Sequence, residues 1–201
     1  MSIVMQEIPR LGLGPHSSGA SLTTAEFDAA EFEEGWRYEL IHGVLVVSPP
    51  PLRKERDPND ELGYWLRNYR ETHPQGRALD ATFPEDTVVT PKERRRADRV
   101  IYAGLGRDPH EGDVPTVVIE FVSAGKRNLI RDYEEKRDEY LAIGVREYWI
   151  VDRFARCLTV YQMHGSSCME HVVREGDVYE TPILPGFELH LDKLLKRADR
   201  W

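Results

Sequence analysis

Cysteine is scarce in this chain: 201 residues contain only Cys157 and Cys168. They offer neither metal-ligand spacing nor a disulfide framework, which excludes a zinc module and a small disulfide-stapled scaffold. The two could face each other across a hairpin, but free buried thiols are the expected state. No apolar run reaches the length of a membrane-spanning helix. The start, Met1-Ser-Ile-Val-Met-Gln-Glu-Ile-Pro-Arg10, lacks the basic and apolar segments of a signal peptide, so a cytoplasmic location is expected. Basic charge is also in deficit. The formal net charge of −8 argues against a protein that coats polyanions generally, while leaving room for a local basic surface. There is no internal repeat, and the seven histidines show no ligand spacing.

What is present fits one domain with extensions. Residues 1–22, rich in Gly, Ser and Pro, read as a flexible leader, followed by a single domain over 23–201. Thr23 and Glu26 have capping-box spacing and open a short helix through Phe27 and Phe32, ended by Gly35. Trp36–Ile41 and Val44–Ser48 flank His42-Gly43, which predicts a hairpin. Asp57-Pro58 reads as an N-cap with proline at the first helical position, ahead of a stripe of Leu62, Trp65, Leu66 and Tyr69. Short strands are expected near 77–83 and 86–89. A strand over 115–123, a helix stopped by Gly144 and a strand over 147–152 are long enough for a crossover between parallel strands. A strand over 157–162, a hairpin of 170–174 with 178–181 around Gly176-Asp177, and a helix over 192–198 complete the chain. This order predicts an α/β (α+β) fold with a mixed central β-sheet flanked by helices, an N-terminal hairpin and a C-terminal β-hairpin extension.

Two charges interrupt this apolar pattern. Glu120 stands inside Val117-Val-Ile-Glu-Phe-Val122, and a lone buried carboxylate costs several kcal/mol or more, so it must be paired, protonated or metal-bound. In the following helix Leu129, Tyr133, Lys136, Tyr140 and Ile143 recur at four- and three-residue steps, which puts Lys136 in a core slot. Asp132 lies one turn earlier on nearly the same face. Two readings stay open for it: a residue that supports the metal-binding acids from behind, or an ordinary i,i+4 pair with Lys136.

Asp98, just before Val100-Ile101, and Glu39, between Tyr38 and Leu40, are further carboxylates in strand contexts. With Glu120 and Lys136 they form a set suited to phosphodiester hydrolysis. Carboxylates at the ends of neighbouring strands hold Mg²⁺ or Mn²⁺, and a lysine orients the attacking water or offsets developing charge. The alternatives are an arginine partner for Glu120, a surface ion pair for Asp98, a lysine that snorkels past Tyr133 and Tyr140, and a hairpin-edge charge for Glu39. Tyr148 and Trp149 read as core, and Asp152 as a turn residue.

Tyr38-Glu-Leu-Ile-His-Gly43, Val47-Ser-Pro49 with its preceding valine, Val118-Ile-Glu-Phe-Val-Ser123, Arg131-Asp132, Glu135-Lys136 and Gly144-Val-Arg-Glu-Tyr-Trp-Ile-Val-Asp152 carry a resemblance. The chain is similar, from about Thr23 to Leu195, to the Uma-two family of restriction-endonuclease-like proteins within the PD-(D/E)xK nuclease superfamily. The resemblance implies a restriction-endonuclease-like core with Asp98 and Glu120 as metal ligands, Glu39 as an additional acid and Lys136 as the catalytic lysine. It also implies a Mg²⁺- or Mn²⁺-dependent endonuclease acting on DNA, in the manner of a homodimer. The chain departs from the pattern at Ala97, where a proline is usual, at Arg99, where a hydrophobic residue is common, and at Ser123-Ala-Gly.

The basic run Lys92–Arg99 is, by default, a solvated face. Beside a phosphodiester site, Arg94, Arg95 and Arg96 become candidates for contact with the DNA backbone, as do Lys126 and Arg127. Two other functions fit the same residues: a non-catalytic module that keeps the nuclease fold to bind nucleic acid or a protein, and a phosphoesterase acting on nucleotides.

Overall fold

The computed structural model describes residues 11–124, 131–164 and 167–201. The chain divides into two compact units, one of residues 1–50 and 89–96, the other of residues 51–88 and 97–201.

In the first unit, strand β1 (Gly12–Leu13) pairs in parallel with β2 (Glu31–Phe32). Helix α1 covers Thr24–Asp28 and carries the expected capping box: Thr23 N–H donates to Glu26 at 2.8 Å, and Glu26 N–H donates to Thr23 Oγ1 at 3.2 Å. It ends before Phe32, which lies in β2 instead, because Leu11 and Leu13 accept the N–H groups of Glu31 and Glu33. Strands β3 (Arg37–Ile41) and β4 (Val44–Ser48) form the expected hairpin. His42 and Gly43 both adopt positive φ, 51° and 73°, the twist that a two-residue turn demands. Residues 11–22 are no free leader. Leu22 N–H donates to Gly43 O, Gly19 N–H to Leu45 O and Leu45 N–H to Ala20 O. Leu13, Phe27, Leu40 and Leu45 form this unit's core.

The second unit is built on a mixed sheet ordered β10-β9-β8-β7-β6, with β5 also on β6. Its strands are β5 (Leu79–Val89), β6 (Arg94–Ala103, its first residues in the other unit), β7 (Val117–Phe121), β8 (Glu147–Asp152), β9 (Cys157–His164) and β10 (Ser167–Arg174). β7 and β8 are parallel, as the strand-helix-strand spacing predicts, and the other neighbours in this order are antiparallel. β5 is one strand where two short ones were expected. The 170–174 segment pairs with β9, and β11 (Val178–Glu180) pairs with β12 (Glu188–His190), so the expected hairpin around Gly176 is replaced by two others. That register sets Cys157 opposite Arg174 and Cys168 opposite Met163; both thiols are free, Cys157 buried and Cys168 exposed.

Helix α2 (Arg53–Thr72) starts a turn earlier than Asp57-Pro58 suggests. Glu55 accepts the Leu52 N–H at 2.8 Å, which closes the N-terminus there and leaves Pro58 inside the helix. One sheet face, with Ile101, Ile119, Phe121, Trp149 and Val151, packs on Leu62, Leu66 and Tyr69 of α2 and on Leu191, Leu194 and Leu195 of the last helix, α4 (Leu191–Ala198). The opposite face, with Val100, Val118, Tyr148 and Ile150, packs on Tyr140 of helix α3 (Lys136–Ala142), which follows a π-helical turn over Arg131–Glu135. α3 ends in a Schellman motif: Val145 N–H donates to Tyr140 O, Gly144 N–H donates to Leu141 O, and Gly144 takes φ 97°.

Candidate functional site

β6 and β7 run antiparallel with Arg99 opposite Ile119 and Val100 opposite Val118. Continued by one residue, that register sets Asp98 across from Glu120, and residues facing each other across a ladder share a sheet face. This is the face that α3 covers. Asp98 is held there by the next strand: the Phe121 N–H donates to its Oδ2 at 2.7 Å. Its own backbone oxygen accepts from the Asn59 side chain of α2 at 2.7 Å.

Lys136 is the first α-helical residue after the π-helical turn, and such turns shift the phase of a helix and often lie at functional sites. Its ammonium sits 2.8 Å from Glu120 Oε1, with side-chain exposures of 2% and 3%. Tyr140, one turn on, donates its hydroxyl to the same oxygen at 3.2 Å. The stripe read from the sequence thus delivers a lysine and a tyrosine to one buried carboxylate. Tyr140 was expected only as core; its spacing from Lys136 was the signal that it would reach Glu120 too. An ammonium and a carboxylate at this distance, both withdrawn from water, interact more strongly than a surface pair.

Glu39 belongs to the first unit. It is buried in β3, and its Oε1 accepts the Arg96 N–H at 3.1 Å. The side chain of Asp132, and Lys126, Arg127 and Leu129, lie outside the described residues. Tyr133 donates to Asp152 Oδ2 at 3.2 Å; burial first, and Asp152 second, push its phenol well above the ordinary range. Asp152, expected in a turn, is the last residue of β8 and holds the turn that follows, its Oδ1 accepting the N–H groups of Phe154 and Ala155. Tyr148 and Trp149 are core.

The basic run is not a solvated face. Arg94, Arg95 and Arg99 are buried. Arg94 is gripped by both oxygens of Asp28, at 2.7 and 2.6 Å, and by two backbone carbonyls, which removes it from the phosphate-contact surface expected of it. Arg95 is likewise enclosed; of the three candidates only Arg96 keeps partial exposure.

Arg99, where the resemblance leads one to expect a hydrophobic residue, lies on the α2 face. Its guanidinium donates to Asn59 Oδ1 at 2.7 Å, Asn59 O at 3.0 Å and Thr82 Oγ1 at 3.1 Å. Burial, and then the nearby Arg67, lower its pKa to about 10. The niche depends on Gly63, where an added Cβ would come within 2.4 Å of Arg99 Nη2. Gly63→Ala is therefore expected to destabilise the protein by about 1–3 kcal/mol through overpacking, despite alanine's better helix propensity. Urea denaturation checks this, and a stabilised variant would refute the close approach.

Among the described residues no group of three or more His, Cys, Asp or Glu side chains is placed to hold a metal ion. The oxygen donors present are the pair Asp98 and Glu120. Mg²⁺ commonly takes one or two protein carboxylates and keeps waters for the rest of its shell, so this donor set fits a hard divalent cation.

The fold class is a mixed sheet flanked by helices, and it carries two acids on adjacent strands and a lysine on the helix that connects β7 to β8. The chain matches the family model Uma2, described as "Putative restriction endonuclease", over residues 24–192, and it belongs to that family. Its fold is similar to the crystal structure of a "putative nuclease belonging to DUF820" from Anabaena variabilis ATCC 29413, with TM-score 0.70 and 16% identity, covering 88% of this chain and 99% of that one. No curated protein matches the chain. Among the described residues no helix is long and apolar enough to cross a membrane.

Proposed function

We propose that the protein is a divalent-metal-dependent endonuclease that hydrolyses DNA phosphodiester bonds. The observation that carries this reading is the buried Lys136–Glu120 contact of 2.8 Å on the strand whose neighbour presents Asp98. Asp98 and Glu120 would hold Mg²⁺ or Mn²⁺, and the bound ion would supply Lewis-acid polarisation of the phosphoryl group and hydroxide near neutral pH. Lys136 and Tyr140 hold Glu120 in place, and the Phe121 N–H holds Asp98, so both carboxylates are oriented before a metal ion binds. The Lys136 ammonium also orients the attacking water and offsets charge that builds on the phosphoryl oxygens. The family's description as a restriction endonuclease supports DNA as the substrate. Action as a homodimer belongs to the proposal alone, and Lys126 and Arg127 remain candidates for contact with the DNA backbone.

The test is incubation of purified protein with plasmid DNA, RNA and small phosphodiesters in Mg²⁺, Mn²⁺ or EDTA. Metal-dependent cleavage of DNA that is lost in Glu120→Ala is expected. No cleavage, or weak activity that persists in Glu120→Ala, contradicts the proposal. A second reading, a non-catalytic binding module, is favoured by one observation: a closed lysine–glutamate pair can serve as a core element alone. It predicts that nucleic-acid or protein binding survives replacement of Lys136.

A further inference from the structure

β10 ends the strand order of the mixed sheet, so one of its two edges has no neighbouring strand in that order. Its sequence does little to blunt that edge. Ser167-Cys-Met-Glu-His-Val-Val-Arg174 has no lysine and no proline, residues that commonly keep an open edge from pairing, and at 8 residues it is no short stub. Every residue of it except Val173 is exposed, the apolar Met169 at 57% and Val172 at 42%. Such an edge is a template for another strand.

The main-chain groups it offers can be placed from its C-terminal end. Arg174 N–H donates to Asp177 Oδ2 at 3.3 Å, and Arg174 O accepts the Asp177 N–H at 3.0 Å, so the main-chain groups of Arg174 turn away from β9. In an antiparallel pair outward groups belong to every second residue, hence also to Val172, Glu170 and Cys168. The side chains of these residues share the sheet face of Tyr161, which lies opposite Glu170 on β9.

Charge selects the partner and the register. Neither Glu170 nor Arg174 has an ion-pair partner among the described residues. A second β10 laid antiparallel about a two-fold axis at Val172 sets Val172 against its own copy, and Glu170 of each copy directly against Arg174 of the other. The two Val172 residues then exchange N–H and C=O bonds. Each Glu170 N–H meets the Arg174 O across from it, which has a second lone pair free beside the Asp177 N–H. A two-fold at Glu170 would instead oppose two carboxylates, and one at His171 would set Glu170 against Val172 with no ion pair.

We propose that the outer edge of β10 is a self-complementary interface, centred on Val172, through which two copies of this chain join their sheets edge to edge. The proposal rests on the homodimer included in the nuclease reading and is independent of its metal chemistry.

The experiment measures the mass of the purified protein by sedimentation over a range of micromolar concentrations, where a monomer–dimer equilibrium is expected. Glu170→Arg and Arg174→Glu should each weaken dimerisation about tenfold or more by setting like charges opposite each other. The double variant Glu170→Arg/Arg174→Glu brings opposite charges together again and should recover the dimer, and circular dichroism confirms each fold. In a Cys168→Ser background, Val172→Cys should give a disulfide-linked dimer on mild oxidation, because residues of a hydrogen-bonded pair lie about 5.5 Å apart between Cα atoms, within disulfide reach. A dimer that is indifferent to the charge reversals, or in which Val172→Cys does not cross-link, keeps the homodimer and overturns this interface. A wild type that stays monomeric overturns both and leaves the edge to water or to a strand of another protein. Neither result depends on DNA cleavage, which is read separately.

Discussion

Lys136→Met is expected to abolish DNA cleavage and, separately, to destabilise the fold by about 3–5 kcal/mol. The two losses have different origins. Activity falls because the ammonium that orients water and offsets phosphoryl charge is gone. Stability falls because Glu120, 3% exposed, loses the ammonium that sits 2.8 Å from its Oε1, the buried ion pair being broken from one side. A second substitution separates them. In Lys136→Met/Glu120→Gln the stranded charge is neutralised, so urea denaturation should show much of the stability regained, while cleavage stays absent. A Lys136→Met protein that cuts DNA at the wild-type rate would remove the lysine from the mechanism. A double variant no more stable than Lys136→Met alone would show that the pair is not what holds Glu120 in place.

Glu147→Ala is expected to cost about 3–5 kcal/mol with no loss of activity per folded molecule. Glu147 is buried at the start of β8, at the far end of that strand from Asp152. Its carboxylate accepts from Trp149 Nε1 at 2.8 Å, Gln162 Nε2 at 3.0 Å, Tyr179 hydroxyl at 3.1 Å and Thr181 hydroxyl at 2.9 Å. Alanine leaves those donors buried and short of an acceptor, and it removes one tie between Tyr179 of β11 and the strand β8. Burial first, and Glu147 second, keep the Tyr179 phenol well above its ordinary range. Calorimetric melting measures the loss. A variant within 1 kcal/mol of the wild type, a threshold set at about the net worth of one hydrogen bond, would show that the four bonds act as packing contacts only.

The parts legible from sequence are those decided locally. His42-Gly43 names its own turn, Thr23 and Glu26 cap each other, and Gly144 stops α3 because a left-handed residue is needed there. The Glu120–Lys136 pair was legible because each charge breaks an apolar period, and two such breaks must be reconciled in one core. Where distant residues decide, the reading failed. Lys92–Arg99 looks like a solvated face until Asp28 and Asn59, far away in the chain, supply partners. Glu31–Phe32 carries no strand signal of its own and takes its pairing from Gly12–Leu13. Pro58 lies inside α2 because Glu55 caps Leu52, a contact that the proline signal outweighed on paper. Glu147 had no signal beyond its position at the start of β8.

The central claim is that Asp98 and Glu120 together hold a divalent ion that Lys136 helps to use. Calorimetric titration of Mn²⁺ into the purified protein tests it most directly. The account predicts binding by the wild type, retained in Lys136→Met and lost in Asp98→Ala, whose fold should be confirmed by circular dichroism. Absence of Mn²⁺ binding in the wild type, or undiminished binding in Asp98→Ala, would contradict it.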